Sequence, residues 1–421
     1  MVLFSVSRLE VGKQLALVPV LAEKLWPCLA KERCVLPIRK IRNVIALLTN
    51  QCQCACPYCF EERSPERMSL DTAIDILNFV KEGGGSSSGF TFFGGEPMLE
   101  FETIIVPLIE YSENTSIPTH FAMTTNGTLL DKERIEWLAR HNVSYMLSFD
   151  GDKLTQDLSR PMRNGESSFD TIMTFLPDLI RSNPQLPLRA TLITENVPNF
   201  YHDILFLASL GVKDFSVLPN FFEIWDQDTK TAFLAELAKY NEYLVSSYEA
   251  GQRPLLINPY RSAFYDIVLT LQTSVRRGSA NCITTNQCGL GVRGSASVDY
   301  RGDLYGCHHI HMTRESPFYI GNVYDGIDEA RIINLIESYT PTRVGNEHCT
   351  TCPIDKICNG GCSPNNYALN GDVHIVSEGW CFWKQAIVTA ADNVMRELAR
   401  RENQLFLQDF KWCMGGRSAY V

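Results

Sequence analysis

Two groups of cysteines carry the chemistry that can be read from this chain. Near the N-terminus stands Cys52-x3-Cys56-x2-Cys59; further on come Cys282-x5-Cys288, Cys307, Cys349-x2-Cys352-x5-Cys358-x3-Cys362 and Cys381. A four-iron cluster that only carries electrons takes four cysteine ligands, so three cysteines at the front leave one iron open and eight at the back complete two closed sets. The front site is suited to bind a molecule; the rear two are suited to pass electrons. Fifteen cysteines in a secreted chain would mean disulfides, whereas C-x-x-C groupings in a large cytosolic enzyme point to metal. Taken alone, the rear eight also suit zinc. Cys28, Cys34, Cys54 and Cys413 remain; Cys54 reads as filler more readily than as a ligand, and Cys28 and Cys34 as buried small residues.

Something must hold these loops in place. Apolar runs of strand length occur at Val44–Leu48, Phe90–Phe93, His120–Met123, Val143–Ser148, Leu188–Ile193 and Asp214–Leu218. Helical patterns alternate with them at Leu70–Val80, Phe101–Tyr111, Asp131–Arg140, Phe169–Leu179 and Tyr201–Leu210. Such alternation predicts a parallel α/β sheet with right-handed crossovers, doubly wound or curled into a barrel. In these folds the working residues collect on loops after the C-terminal strand ends. Cys52 to Cys59 follow the first strand, Gly94-Gly95-Glu96-Pro97 the second, Thr125-Asn126-Gly127 the third and Ser148-Phe149-Asp150-Gly151 the fourth.

The reading divides the chain into an N-terminal extension (1–42), the α/β unit (43–225), a helical bridge (226–280) with its clearest helix at Leu234–Tyr248, a cysteine-rich segment (281–385) and a C-terminal helix and tail (386–421). The cysteine-rich segment has a short strand at Ser295–Asp299 and too little apolar periodicity to hold itself, so metal supplies much of its folding energy. The final helix is expected from Lys384 to Arg400. A net charge of -10 excludes the basic footprint of a nucleic-acid binder. No apolar run reaches the roughly 18 residues of a membrane span, and the expected location is cytoplasmic.

The run Leu48-Thr49-Asn50-Gln51-Cys52-Gln53-Cys54-Ala55-Cys56-Pro57-Tyr58-Cys59 resembles the signature of radical S-adenosylmethionine (SAM) enzymes, and Gly94-Gly95-Glu96-Pro97 resembles their second motif. The eight later cysteines, with the Gly302-x4-Cys307 step, resemble the twin-cluster SPASM domain. The resemblance covers roughly residues 43 to 385. It implies a partial (β/α)6 TIM-like barrel with a C-terminal SPASM domain, three 4Fe-4S clusters and S-adenosyl-L-methionine. In such enzymes the open iron chelates the methionine moiety, and an electron passed to the sulfonium yields a 5'-deoxyadenosyl radical that removes a hydrogen atom from an unactivated carbon.

Residue roles follow from the resemblance. Gly94 and Gly95 let the backbone approach the methionine moiety, with Glu96 bracing the loop and Pro97 completing the motif. Ser148 donates to the methionine carboxylate, Arg160 or Arg189 adds a charge-assisted contact to it, and Tyr58 packs near the adenine. Asn126 either joins this set or only caps the following helix. The family's interleaved pattern assigns Cys282, Cys288, Cys307 and Cys362 to the inner rear cluster and Cys349, Cys352, Cys358 and Cys381 to the outer one; spacing alone leaves a Cys349 to Cys362 quartet open. Enzymes of this architecture that oxidise a sulfatase's serine or cysteine carry an aspartate directly after the cysteine matching Cys307. Here the run is Cys307-His308-His309-Ile310-His311. His308 and His309 are candidates for the base, against a bland role as polar filler and a third reading of iron ligation by His308.

The function these residues imply is that of a radical SAM peptide maturase, which crosslinks a ribosomally made precursor peptide through a thioether, carbon–carbon or carbon–oxygen bond. The alternatives are an anaerobic sulfatase-maturating enzyme and a small-molecule radical dehydrogenase. A low-potential donor such as flavodoxin or ferredoxin is the expected partner. About 42 residues precede the barrel, against some 80 in relatives with a leader-binding domain, so leader recognition is expected to be weak, made by the barrel surface or supplied by a separate protein.

Overall fold

The computed structural model of the chain describes residues 40–61, 63–84, 88–274, 294–310, 312–338, 347–355, 357–358 and 361–415. Cys28, Cys34, Cys282, Cys288 and His311 lie outside the described residues, as does nearly all of the N-terminal extension.

Six strands stand where the apolar runs place them: β1 (Asn43–Thr49), β2 (Ser88–Gly94), β3 (Thr119–Thr125), β4 (Ser144–Ser148), β5 (Pro187–Leu192) and β6 (Asp214–Pro219). They pair in parallel and in chain order. A doubly wound sheet reverses its strand order at a switch point, and no reversal occurs here. Alternate residues of each strand face opposite ways. Thus Leu188, Ala190 and Leu192 of β5 are buried in the core, while Arg189 and Thr191 point to the other face.

The crossovers are α1 (Leu70–Gly84), α2 (Val106–Asn114), α3 (Lys132–Arg140), α4 (Lys153–Ser159), α5 (Ser168–Met173), α6 (Leu176–Ser182) and α7 (Phe200–Ser209). Their apolar faces, with Ile76, Leu77, Leu108, Leu138, Ile172, Leu176 and Ile204 buried, cover the sheet. Two expected helices differ in detail. The run from Phe101 opens as a π-turn (Phe101–Ile105) in which Val106 N donates to Phe101 O, an arrangement that accommodates Pro107, which has no N–H to give. The expected helix Phe169–Leu179 splits around Thr174 and Phe175, and its second half starts with Pro177 in its first turn. α4 was not foreseen; Asp152 caps it by accepting from Thr155 N at 3.0 Å.

The later chain forms α8 (Gln227–Glu249), α9 (Asn258–Ser274), β7 (Ser295–Val298), β8 (Asp303–Tyr305), β9 (Tyr319–Asn322), β10 (Gly326–Ile327), α10 (Glu329–Ser338), α11 (Ser363–Asn370), α12 (Glu378–Arg400) and α13 (Gln404–Gly415). β7 adds in parallel to the free edge of β1, from Asn43 opposite Ser295 to Ala46 opposite Val298. β8, β9 and β10 then continue antiparallel, giving one sheet of ten strands among the described residues. The β7–β8 turn is closed by Asp299, which accepts from Arg301 N at 2.9 Å and Asp303 N at 3.0 Å. Gly302 sits in it at φ +81°, where a side chain would be strained and a Cβ would stand 2.6 Å from Val323. That is the physical content of the Gly302-x4-Cys307 step. α12 begins at Glu378, six residues earlier than expected, and packs on α8 and α9 through a cluster in which Phe233 stacks on Trp383 at 5.0 Å and meets Trp225 at 5.2 Å. Cys381 is therefore on the first turn of a buttressed helix. Among the described residues no helix is long and apolar enough to cross a membrane.

Candidate cluster and cosubstrate site

The loop after β1 is held by its main chain. Gly95 N donates to Thr49 O at 2.7 Å and Glu96 N to Gln51 O at 2.8 Å, clamping the loop to the end of β2. On its other side Ala55 N donates to Pro161 O at 2.8 Å and Arg163 N to Gln53 O at 2.9 Å, while Arg163 Nε reaches Cys52 O at 3.2 Å. The two glycines are needed for the approach: a Cβ on Gly94 would lie 2.4 Å from Thr49 O, and one on Gly95 would lie 2.2 Å from Gln51 O. Gly94 also has φ +125°. Both glycines thus serve the cysteine loop itself.

Glu96 is buried, and its carboxyl ties the β2 and β3 loops together. It accepts from Thr125 Oγ1 at 2.7 Å, Asn126 N at 2.8 Å and Met98 N at 3.1 Å. Burial pushes it up to about 7, against those donors, which favour the carboxylate. Glu96→Ala should leave these donors without an acceptor and lower the stability of the apo chain by roughly 1–3 kcal/mol. A thermal unfolding midpoint equal to that of the parent would remove the bracing role.

The front thiols have distinct surroundings. Cys52 Sγ accepts from Cys54 N at 3.4 Å and from Asn126 Nδ2 at 3.4 Å, and Cys59 Sγ accepts from Arg63 Nη2 at 3.7 Å. Its contact with Cys54 draws Cys52 down to about 6, whereas burial pushes Cys56 up to about 11 and raises Cys59. Cys54 is buried and bridges to Met162, as a packing residue does. A donor set of thiols with N–H groups aimed at the sulfurs suits an iron–sulfur cluster, whose potential is set by such hydrogen bonds. Among the described residues no three His, Cys, Asp or Glu side chains converge closely enough for a single metal ion; the cysteines of a four-iron cube are spread over its corners.

The two candidate arginines are told apart by their neighbours. Arg160 forms a two-pronged pair with Asp150, Nε to Oδ2 at 2.8 Å and Nη2 to Oδ1 at 3.1 Å, and lies 5.6 Å over the Tyr58 ring. Asp150 also accepts from Thr191 N at 2.8 Å. Arg160 is spent on this clamp. Arg189 has no carboxylate partner among the described residues, and it stands opposite Ser148 across the β4–β5 pair, so their side chains share a face. Burial and the charge of Arg160 both work against the Arg189 cation.

The histidines come in from the rear segment. His308 packs edge-on to Phe93 at 4.7 Å, His309 lies on Phe60 at 5.0 Å, and the two rings are 4.0 Å apart. Burial is the first cause that lowers both, with Arg189 contributing; His309 falls to about 3. His308 Nδ1 is buried without a hydrogen-bond partner among the described residues. Phe93 is the last residue of β2 before Gly94 and Phe60 follows Cys59, so these contacts join the rear segment to the front loops.

In the rear segment Cys307 is buried and accepts from His309 N at 3.3 Å. The Cys381 thiol is pushed up to about 12 by burial and then by Cys358, Cys349 and Cys352. Those four are the set expected for the outer cluster. Cys362 precedes α11 as its N-terminal flanking residue; Cys282 and Cys288, expected beside it, are outside the described residues. Gln53, Phe60, Arg63, Phe93, Thr128 and Arg163 were not anticipated. Only Arg63 carried a signal, as a cation four residues after Cys59.

Residues 47–241 match the Radical SAM superfamily. The chain is 22% identical over 396 residues to the radical SAM cyclopropyl synthase TigE of Paramaledivibacter caminithermalis, covering 88% of this chain and 76% of that one. It is 19% identical over 362 residues to a serine-type anaerobic sulfatase-maturating enzyme of Klebsiella pneumoniae, covering 82% and 86%. Among solved structures, anSMEcpe with bound AdoMet and Cp18Cys peptide superposes with a TM-score of 0.66 at 18% identity, covering 86% of this chain and 99% of that one. Residues 47–241 thus match the radical SAM superfamily, and the chain has an α/β fold similar to that of anSMEcpe.

Proposed function

We propose that this radical SAM domain serves a peptide maturase: a partial barrel whose front cluster and SAM generate a substrate radical, joined to a SPASM segment (281–385) with two auxiliary clusters. One observation carries the reading. His308 and His309, directly after a rear-cluster cysteine, pack on Phe93 and Phe60 beside the front cysteine loop, so the rear segment and the SAM site border the same space. A substrate held there lies between an oxidant and an electron exit. When bound, the front cluster and SAM supply reductive cleavage of the sulfonium and hydrogen-atom abstraction from carbon.

The chain's own residues then have definite tasks. Cys52, Cys56 and Cys59 would hold three irons of the cluster, and the main-chain clamps fix the loop that carries them. Ser148 donates to the methionine carboxylate and Arg189, without a carboxylate partner among the described residues and on the same face, adds its charge; Arg160 acts through Asp150 and Tyr58 to hold the β4 and cysteine loops together. Phe60, Phe93 and the two histidines exclude water from this space. His308 and His309, which burial holds in the neutral form able to receive a proton, are the proposed proton acceptors, and the auxiliary clusters, when bound, would take up the one electron released by ring closure with loss of two hydrogens. A flavodoxin or ferredoxin supplies the incoming electron.

The similarity to TigE, named as a cyclopropyl synthase, favours carbon–carbon ring closure; the sulfatase-maturating relatives keep formylglycine formation as the second reading. A reconstituted chain given its precursor peptide should yield a product two hydrogens lighter whose ring survives thiol reductants. His308→Ala and His309→Ala should slow that product while 5'-deoxyadenosine release continues, uncoupled from it. Efficient conversion of a Cys-x-Pro-x-Arg peptide to formylglycine would overturn the crosslinking reading, and unchanged crosslinking in both variants would reduce the histidines to packing.

A further inference from the structure

The side-chain amide of Asn126 is oriented by its neighbours. Its Oδ1 accepts from Thr128 N at 3.0 Å, Thr128 Oγ1 at 2.9 Å and Gln53 Nε2 at 3.1 Å, while Gln53 also donates to Thr128 Oγ1. An acceptor that takes three donors cannot be exchanged for an NH2 group, so the flip of this amide is fixed by its network. The remaining end, Nδ2, points at Cys52 Sγ at 3.4 Å. The residue is buried, and its own main-chain N–H is fixed to Glu96. The motif element that reads as a helix cap is thus a rigid N–H donor toward one front sulfur.

We propose that Asn126 is a positioning residue that raises the reduction potential of the front cluster by donating a hydrogen bond to the Cys52 sulfur, with Gln53 and Thr128 holding it in that orientation. This rests on the front cluster proposed above. Hydrogen bonds to ligand sulfur stabilise the reduced, more negative cluster over the oxidised one. The donor comes from the β3 loop, which Glu96 couples to the glycine motif, so geometry at the second motif is transmitted to the electron affinity of the first.

Asn126→Asp separates this role from turn formation. The new carboxylate keeps an oxygen for Thr128 and Gln53, yet turns an acceptor toward Cys52. Asn126→Ser retains a turn-forming oxygen, adds no charge and is too short to reach the sulfur. The measurement is a potentiometric titration followed by EPR on anaerobically reconstituted chain without SAM, the front signal being the one that the Cys52/Cys56/Cys59→Ala chain lacks. Asn126→Asp should lower the ratio of reduced to oxidised front cluster at a fixed potential by about tenfold, about 59 mV for a one-electron couple, and Asn126→Ser should shift it the same way by less. Midpoints equal to wild type in both variants, or loss of the cluster in both, would overturn the proposal and leave Asn126 a turn residue. A wild-type chain with no front signal would instead remove the cluster reading on which it rests.

Discussion

Replacing Cys52, Cys56 and Cys59 together by alanine is expected to abolish 5'-deoxyadenosine formation and to lower bound iron from about twelve to about eight per chain. The expectation is sharp because the loop's shape does not come from the sulfurs. Its clamps run through main-chain groups: Gly95 N to Thr49 O, Glu96 N to Gln51 O, Ala55 N to Pro161 O and Arg163 N to Gln53 O. Alanine preserves every one of them. The variant therefore keeps its fold and its two rear sets while losing the site that chelates the cosubstrate. Iron analysis and chromatographic detection of 5'-deoxyadenosine check the two halves independently. Residual cleavage at the parent's rate would mean that the open iron lies elsewhere, and a parent that plateaus near four irons, or fills with zinc, would show that the rear cysteines are not cluster ligands.

The second large effect is expected from Cys349→Ala with Cys352→Ala. Product should fall to background while 5'-deoxyadenosine still forms, with iron lower by about four. The two cysteines lie on and beside a short 3-10 turn, Glu347–Thr351, none of whose residues is buried. Such a segment gains little from apolar contact and depends on bound metal for order. Cys381, by contrast, sits on α12, which Phe233 and Trp383 fix to α8, so the helical core survives the change. Front-site chemistry then continues without an electron exit. Full turnover in this variant would take the outer cluster out of the mechanism.

The positions of the six parallel strands were legible because each is a short apolar run bounded by turn residues, a signal that depends only on neighbouring positions. The loops at their C-terminal ends were legible for the same reason, and Cys52, Cys56 and Cys59 stand on the first of them. What the sequence could not separate was Arg160 from Arg189. Both read as free cations until the fold brought Asp150 to one of them. Asn126 was ambiguous for a related reason: its partners Gln53 and Cys52 lie more than seventy residues away, and no periodicity encodes them. α4 escaped notice because it is only seven residues long. The start of α12 was placed late because its first turn carries Gly379 and Cys381, which read as cluster loop rather than helix. β8 to β10 are too short to show alternation, being defined by their neighbours rather than by their own composition.

The pairing of β7 with β1 bears on how such a chain can be divided. Four residues of β1, Asn43 to Ala46, have their outer edge paired with Ser295 to Val298, and Asn43 N also donates to Gly294 O at 3.0 Å. Cutting the chain between the six parallel strands and the cysteine-rich segment would leave that edge as an open template on an apolar strand, the kind of surface that recruits other chains into aggregates. The cysteine-rich part is thus not a cartridge that can be exchanged behind a constant front. Grafting a different one would require its first strand to match the register of β1 as well as its cysteines to match the clusters. Sequence changes in the loops at the sheet's C-terminal rim, by contrast, leave this seam closed.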